Sequence, residues 1–136
     1  MPRRVAVDTG PLVALFDKSD AYHLKAREFV RRFRGELFSN LAIVTETLYL
    51  LDFSVEAQLD FLSWVSSGAL TLLHLGAEDL IRVSELMRQY SDLPADFADV
   101  SLVALCERLE TQEVASLDKD FRVYRTRGKK ALTNVF

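Results

Sequence analysis

The chain has 136 residues, 49% of them apolar and 27% charged, enough for one domain whose core needs no covalent or metal staple. A single cysteine, Cys106, excludes an intrachain disulfide and a cysteine-rich zinc site, and reads as a small core residue. Seventeen basic and 20 acidic residues leave a net charge of −3, which taken alone argues against a nucleic-acid partner.

The distribution says more than the total. Residues 1–36 carry +3, residues 37–118 carry −11 and residues 119–136 carry +5. Basic ends around an acidic middle suit either solvated helix faces or an acidic site framed by basic contact surfaces. The longest apolar runs, Leu12–Phe16 and Leu102–Cys106, are far shorter than the ~20 residues that span a bilayer. Only Val5-Ala6-Val7 follows Arg3 and Arg4, so no secretory signal is visible. The chain reads as soluble and cytoplasmic, with no membrane partner.

Taken in order, Val5–Val7 is a buried strand stopping at Asp8-Thr9-Gly10-Pro11, and Pro11 opens a short helix through Phe16. Leu24, Phe29, Val30 and Phe33 recur at helical spacing between Ala21 and Phe33, with Gly35 ending that helix. Glu36–Phe38 is a short strand. Ser39 or Asn40 then caps a helix over Leu41–Leu51, and another runs from Ser54 to about Ser66. Ala69–Leu75 reads as a strand, Glu78–Tyr90 and Ala95–Leu109 as helices, Val114–Leu117 as a buried strand, and Ala131–Phe136 as holding the last strand. This order predicts a single α/β domain with a mostly parallel sheet of about five strands and helices on both faces. Ligands of such sheets collect past the carboxyl ends of strands, where Asp8 and Asp118 fall.

Four acids stand in otherwise apolar sequence: Asp8, Glu46, Asp99 and Asp118. Each has an ordinary reading. Asp8 can make a turn with Gly10, and Glu46 can face solvent from its helix. Asp96 shares a helix face with Asp99 and suits an N-terminal cap, and Asp118 or Asp120 can cap the segment Phe121–Arg125. Converging, they would repel one another unless a cation joined them, and an all-oxygen set selects Mg²⁺ or Mn²⁺ over zinc.

In this order the motifs resemble a family. Val-Asp-Thr-Gly (7–10), Val-Thr-Glu (44–46), Asp-Phe-Ala-Asp-Val-Ser (96–101) and Ser-Leu-Asp-Lys-Asp-Phe (116–121) look like a PIN-domain protein of the VapC toxin type. The resemblance spans nearly all of residues 1–136. It implies an Mg²⁺- or Mn²⁺-dependent endoribonuclease, the toxin of a type II toxin–antitoxin pair, cutting RNA with a metal-activated water and leaving a 5′-phosphate. By position, Asp8, Glu46, Asp99 and Asp118 fill the catalytic acids. Asp8, Asp99 and Asp118 are metal ligands, and Asp96, Glu46 and Asp120 are further candidates. Thr9 and Ser116 fall at supporting hydroxyl positions. Ser116 stands where many relatives have Thr, and Val100 where Ala is usual. The implied partners are RNA, a small antitoxin and a second copy of the chain, with the apolar stretch Leu51–Val65 as a contact surface.

Arg122, Arg125, Arg127, Lys129 and Lys130 follow the fourth acid and are candidates for holding RNA phosphates, although an ordinary basic rim has the same composition. Tyr22, Tyr49 and Tyr124 are candidates for stacking bases, with the core as the alternative. His23 and His74 have no visible partner and read as structural. Asp8-Thr9-Gly10 is also the short motif of aspartic proteases, but that fold is all-β and the helical periods here oppose it. The non-enzymatic alternative is a PIN-like protein-binding module; a housekeeping nuclease outside any toxin pair is the other.

Overall fold

The computed structural model describes residues 2–136. Five strands, β1 (Arg4–Val7), β2 (Glu36–Ser39), β3 (Thr71–Leu72), β4 (Glu113–Ala115) and β5 (Thr133–Asn134), form one sheet. Its order is β3-β2-β1-β4-β5, and every neighbouring pair is parallel. The helices are α1 (Thr9–Phe16), α2 (His23–Arg32), α3 (Leu41–Leu50), α4 (Val55–Trp64), α5 (Ala77–Gln89) and α6 (Phe97–Leu109). Among the described residues no helix is long and apolar enough to cross a membrane.

Strand β1 lies at the centre, and Val5, Ala6 and Val7 are all buried. The chain runs outward from β1 to β2 and β3, then returns through α5 and α6 to β4 on the other side. Crossovers of this kind are almost always right-handed, so the reversal sends α5 and α6 to the face opposite α1 and α2. The carboxyl ends of β1 and β4 therefore flank the point where the winding reverses, the usual ligand crevice of such sheets. Helix α3 packs on both α1 and α6. Trp64 closes α4 edge-on against Phe16 at 5.6 Å.

Helix α6 is the structural centre of the second layer. Nine consecutive residues, Ala98–Cys106, are buried, Cys106 among them, so the helix has no long solvent face. Asp96 caps it by accepting the Ala98 N–H at 2.7 Å, the role its position suggested. Of the two candidates at the start of α3, Asn40 is the cap, accepting from Ala42 and Ile43 at 2.9 and 3.2 Å. Ser39 instead donates to the Val7 carbonyl at 3.0 Å. Asn40 also donates to Ser101 Oγ at 3.0 Å, tying the end of β2 to the first turns of α6.

Several boundaries differ from the sequence reading; the first helix, expected to open at Pro11, begins at Thr9, and the turn expected over Phe121–Arg125 spans Lys119–Arg122. The strand expected over Ala69–Leu75 pairs only at Thr71–Leu72, because it is an edge with one neighbour and a widened helical turn, Val65–Ala69, runs almost up to it. The strand expected over Val114–Leu117 ends at Ala115, since Ser116 leaves the ladder to bond side chains. Gly35 does not end α2, which is closed at Phe33. Gly35 is required for another reason: its φ is 136°, and a Cβ there would collide with the Arg3 carbonyl beside it.

Asn40→Ala removes the acceptor of two backbone N–H groups and deprives the buried Ser101 hydroxyl of its donor in one step. It should lower unfolding free energy by about 2 kcal/mol, measured by urea denaturation. A loss under about 0.5 kcal/mol would show that α3 and α6 do not depend on this link.

Candidate metal centre

Three carboxylates meet past the carboxyl ends of β1 and β4. Asp8 follows β1, Asp99 sits in the first turn of α6, and Asp118 follows the turn that leaves β4. One oxygen from each lies within 4.8 Å of the others. Asp8 is only 4% exposed and Asp99 only 6%, while Asp118 is half-buried. Among the described residues, none of the ion pairs involves Asp8, Asp99 or Asp118. This is charge concentrated without a protein cation to neutralise it.

Local structure explains how the chain holds such a cluster. The Asp8 N–H donates to the Ala115 carbonyl at 2.9 Å, continuing the β1–β4 ladder by one residue. Ser116 Oγ donates to Asp8 Oδ2 at 2.7 Å and accepts the Asp118 N–H at 2.9 Å, so one hydroxyl sets two acids. Asn134 fixes Ser116 in turn, accepting its N–H and donating to its carbonyl. Asp118 Oδ1 accepts the Asp120 N–H at 2.9 Å and opens the short helical turn Lys119–Arg122. Gly10 lets that loop approach α1, since a Cβ there would sit 3.0 Å from the Leu117 Cβ.

The electrostatics follow from this geometry. Two unit charges 4.8 Å apart repel by about 3–4 kcal/mol at an effective dielectric of about 20. Burial pushes the Asp8 carboxyl up to about 6, opposed by the Ser116 hydroxyl and the Thr9 N–H and reinforced by Asp118 and Glu46. Asp99 is raised as well, by burial first, then by the charge of Asp8 and by sharing its proton with Asp118. Asp8 Oδ1 and Thr9 Oγ1 are buried with no hydrogen-bond partner. Orphaned oxygens beside mutually repelling carboxylates fit a hard divalent cation, with Asp8, Asp99 and Asp118 as the oxygens that would hold it.

The remaining sequence candidates separate in space. Glu46, half-buried on α3, acts on Asp8 through its charge but stands outside the close trio. Asp96 caps α6 and adds negative charge at Asp99. Asp120 is half-buried on the turn that Asp118 opens. Arg122 is exposed on that same turn, and Lys129 is exposed farther along. Arg125 turns its guanidinium back onto the carbonyls of Arg122, Val123 and Tyr124. Arg127 and Lys130 line a groove with Glu107, Thr111 and Gln112, at the opposite, amino end of β4. Adjacency in sequence to the fourth acid therefore does not bring all five cations to the carboxylates.

Tyr22 and Tyr49 are exposed, but Tyr124 is fully buried and cannot stack on a base. Sequence reading missed the supporting roles of Asn40, Ser101 and Asn134. Asn40 showed a capping signal only, and nothing in the local pattern announced Asn134, which reaches Ser116 across 18 positions.

The raised acids set a sign for pH. Asp8 binds its proton more tightly folded, near pH 6, than unfolded, near its usual value of 3.8. Metal-free protein should therefore lose stability as pH rises between those values, by about 2–3 kcal/mol, and Asp99 should extend the loss upward. Thermal unfolding in chelator from pH 4.5 to 8 reads this out. Asp8→Asn should flatten the lower part of the slope; a wild-type stability that climbs with pH through this window would contradict the desolvated cluster.

Comparison with known proteins agrees with the geometry. The family profile described as PIN domain matches residues 5–126. The ribonuclease VapC26 of Mycobacterium tuberculosis is 28% identical over 115 residues, covering 83% of this chain and 85% of that one. The crystal structure of Mycobacterium tuberculosis VapC20, a toxin that cleaves the sarcin–ricin loop, superposes with a TM-score of 0.81 at 21% identity, over 88% of this chain and 93% of that one. The VapBC2 complex of Rickettsia felis bound to a promoter DNA fragment gives 0.67 at 13% identity, over 97% and 98%. At these identities the structural likenesses establish the fold, and the family profile, spanning all four acids, establishes the lineage. The chain belongs to the PIN-domain family.

Proposed function

We propose that the protein is a VapC-type endoribonuclease, the toxin of a toxin–antitoxin pair, which hydrolyses RNA phosphodiester bonds at the Asp8–Asp99–Asp118 centre. The observation that carries this reading is the convergence of those three carboxylates, two of them almost fully buried and, among the described residues, none in an ion pair. A structural role would have left them paired or exposed. The names of VapC26 and VapC20 support RNA as the substrate class.

Asp8, Asp99 and Asp118 would hold Mg²⁺ or Mn²⁺, with Glu46 and Asp96 adding negative potential from the rim. A divalent cation there supplies Lewis acidity toward a phosphate oxygen and lowers the pKa of water near the scissile bond. Ser116 keeps Asp8 and Asp118 in register through its two hydrogen bonds, so the acids do not reorganise when substrate arrives. Thr9 presents its unpartnered hydroxyl beside Asp8. His23 is engaged elsewhere: its Nδ1 lies 2.8 Å from the Ala14 carbonyl, a structural contact.

Of the five basic candidates, Arg122 is the one on the turn that Asp118 opens, exposed and so able to meet an RNA phosphate, with Lys129 a second exposed candidate. Arg127 and Lys130 serve the groove beside Glu107 instead. For partners, the likeness to a VapBC complex supports a small antitoxin. Tyr49, Leu50, Phe53, Val55, Leu59 and Leu62 form an exposed apolar surface at the end of α3 and along α4, suited to that partner or to a second copy of the chain.

Purified protein should cleave RNA with Mg²⁺ or Mn²⁺, stop in chelator, and lose at least about 100-fold in rate in Asp8→Asn or Asp99→Asn with the circular dichroism spectrum unchanged. Cleavage by Asp8→Asn at the wild-type rate would overturn the assignment. Arg122→Ala should raise KM for RNA roughly threefold to tenfold and weaken its salt dependence, whereas Arg127→Ala leaves both unchanged. Equal effects from the two variants would remove Arg122 from the substrate path.

A further inference from the structure

Tyr124 carries a third unexplained oxygen. The residue is fully buried, yet its hydroxyl has no hydrogen-bond partner. Its ring is held edge-on by Tyr90 at 5.1 Å and by Phe121 at 5.3 Å, so the phenol cannot swing out to solvent. Its N–H bonds the Asp120 carbonyl at 3.2 Å, which fixes the backbone to the turn opened by Asp118.

Tyr90 makes the contrast clear. In the same aromatic cluster its hydroxyl has a structural task, accepting the Arg125 N–H at 2.8 Å. Packing alone would be served as well by phenylalanine at position 124, because a buried hydroxyl without a partner is unfavourable. Around the Tyr124 hydroxyl the negative charge comes from Asp99 first, then Asp120, Asp118 and Asp96. Burial and these charges both hold its pKa above the ordinary value, so the phenol remains a neutral donor. A neutral donor enclosed near carboxylates, and left without a partner within hydrogen-bond distance, is satisfied when one water bridges it to them.

We propose that Tyr124 is a positioning residue of the acidic centre: its hydroxyl donates through one ordered water to the carboxylate cluster, Asp99 foremost, and so orients that carboxylate for a divalent cation. This rests on the metal-centre reading above.

Tyr124→Phe removes only the oxygen, so packing survives. Mn²⁺ affinity, measured by titration calorimetry and by the Mn²⁺ electron paramagnetic resonance signal, should fall about tenfold, as when other groups that orient metal ligands are removed. The melting temperature in chelator should stay level or rise. Tyr90→Phe should do the reverse, lowering the melting temperature while leaving Mn²⁺ affinity within twofold. Mn²⁺ affinity in Tyr124→Phe within twofold of wild type, or a melting temperature several degrees lower in chelator, overturns the role. Wild-type protein that fails to bind Mn²⁺, or binds it as well after Asp99→Asn, overturns the metal centre itself and Tyr124's role with it.

Discussion

Mutual repulsion among Asp8, Asp99 and Asp118 is the constraint around which the rest of the molecule is arranged. Three carboxylates within 4.8 Å, in a region where two of them are nearly out of water, would separate or protonate if left free. They stay together because each is anchored by a different rigid element: the central strand, the most buried helix, and a loop clamped between Ser116 and Asn134. The stability of the surrounding α/β frame keeps the cluster in place, and a bound cation turns the same repulsion into attraction. Sites of this kind are expected to cost stability when empty.

A second layer of small polar residues makes the arrangement specific. Asn40 caps α3 and reaches across to Ser101, and Ser101 donates to the Ala98 carbonyl at 2.6 Å. That chain of bonds locks the first turn of α6, and with it Asp99, to the end of β2. Ser116 does the same for Asp8 and Asp118. None of these residues is acidic, and each is buried with its polar atoms satisfied. Among the described residues, the orphaned side-chain atoms are Asp8 Oδ1, Thr9 Oγ1 and the Tyr124 hydroxyl, the first two at the acidic centre and the third within reach of its charge. Polar satisfaction elsewhere and orphaned oxygen here mark the place where a partner from outside the chain belongs.

Charge is divided by function as well as by sequence. The acidic middle of the chain supplies Asp99 and Asp118, and the N-terminal strand supplies Asp8. The basic ends do not act as one surface. Arg31 and Arg32 are engaged with Glu28, Arg3 with Glu113, and Arg127 with Glu107, while Arg122 stays on the turn beside the acids. A net charge of −3 therefore describes neither the carboxylate pocket nor the surface beside it.

The sequence by itself determined the alternation of short apolar strands with helices, the parallel α/β class and the positions of the acids past strand ends. Those features depend on local periodicity and turn chemistry, which lie within a few residues of one another. Asp96 as the cap of α6 and Cys106 as a core residue were legible for the same reason. Tertiary structure decided the rest. It brought Asp8, Asp99 and Asp118, the ligands that the resemblance implied, within 4.8 Å of one another and left Glu46 outside that trio. It carried Arg127 and Lys130 to the far end of β4 although they follow Asp118 closely in the chain. It also enclosed Tyr124, whose place in the sequence resembles that of any aromatic in a basic tail. Distances between residues about a hundred positions apart, such as Ser116 and Asp8, arise from how β1 and β4 pair, and no local pattern encodes that pairing.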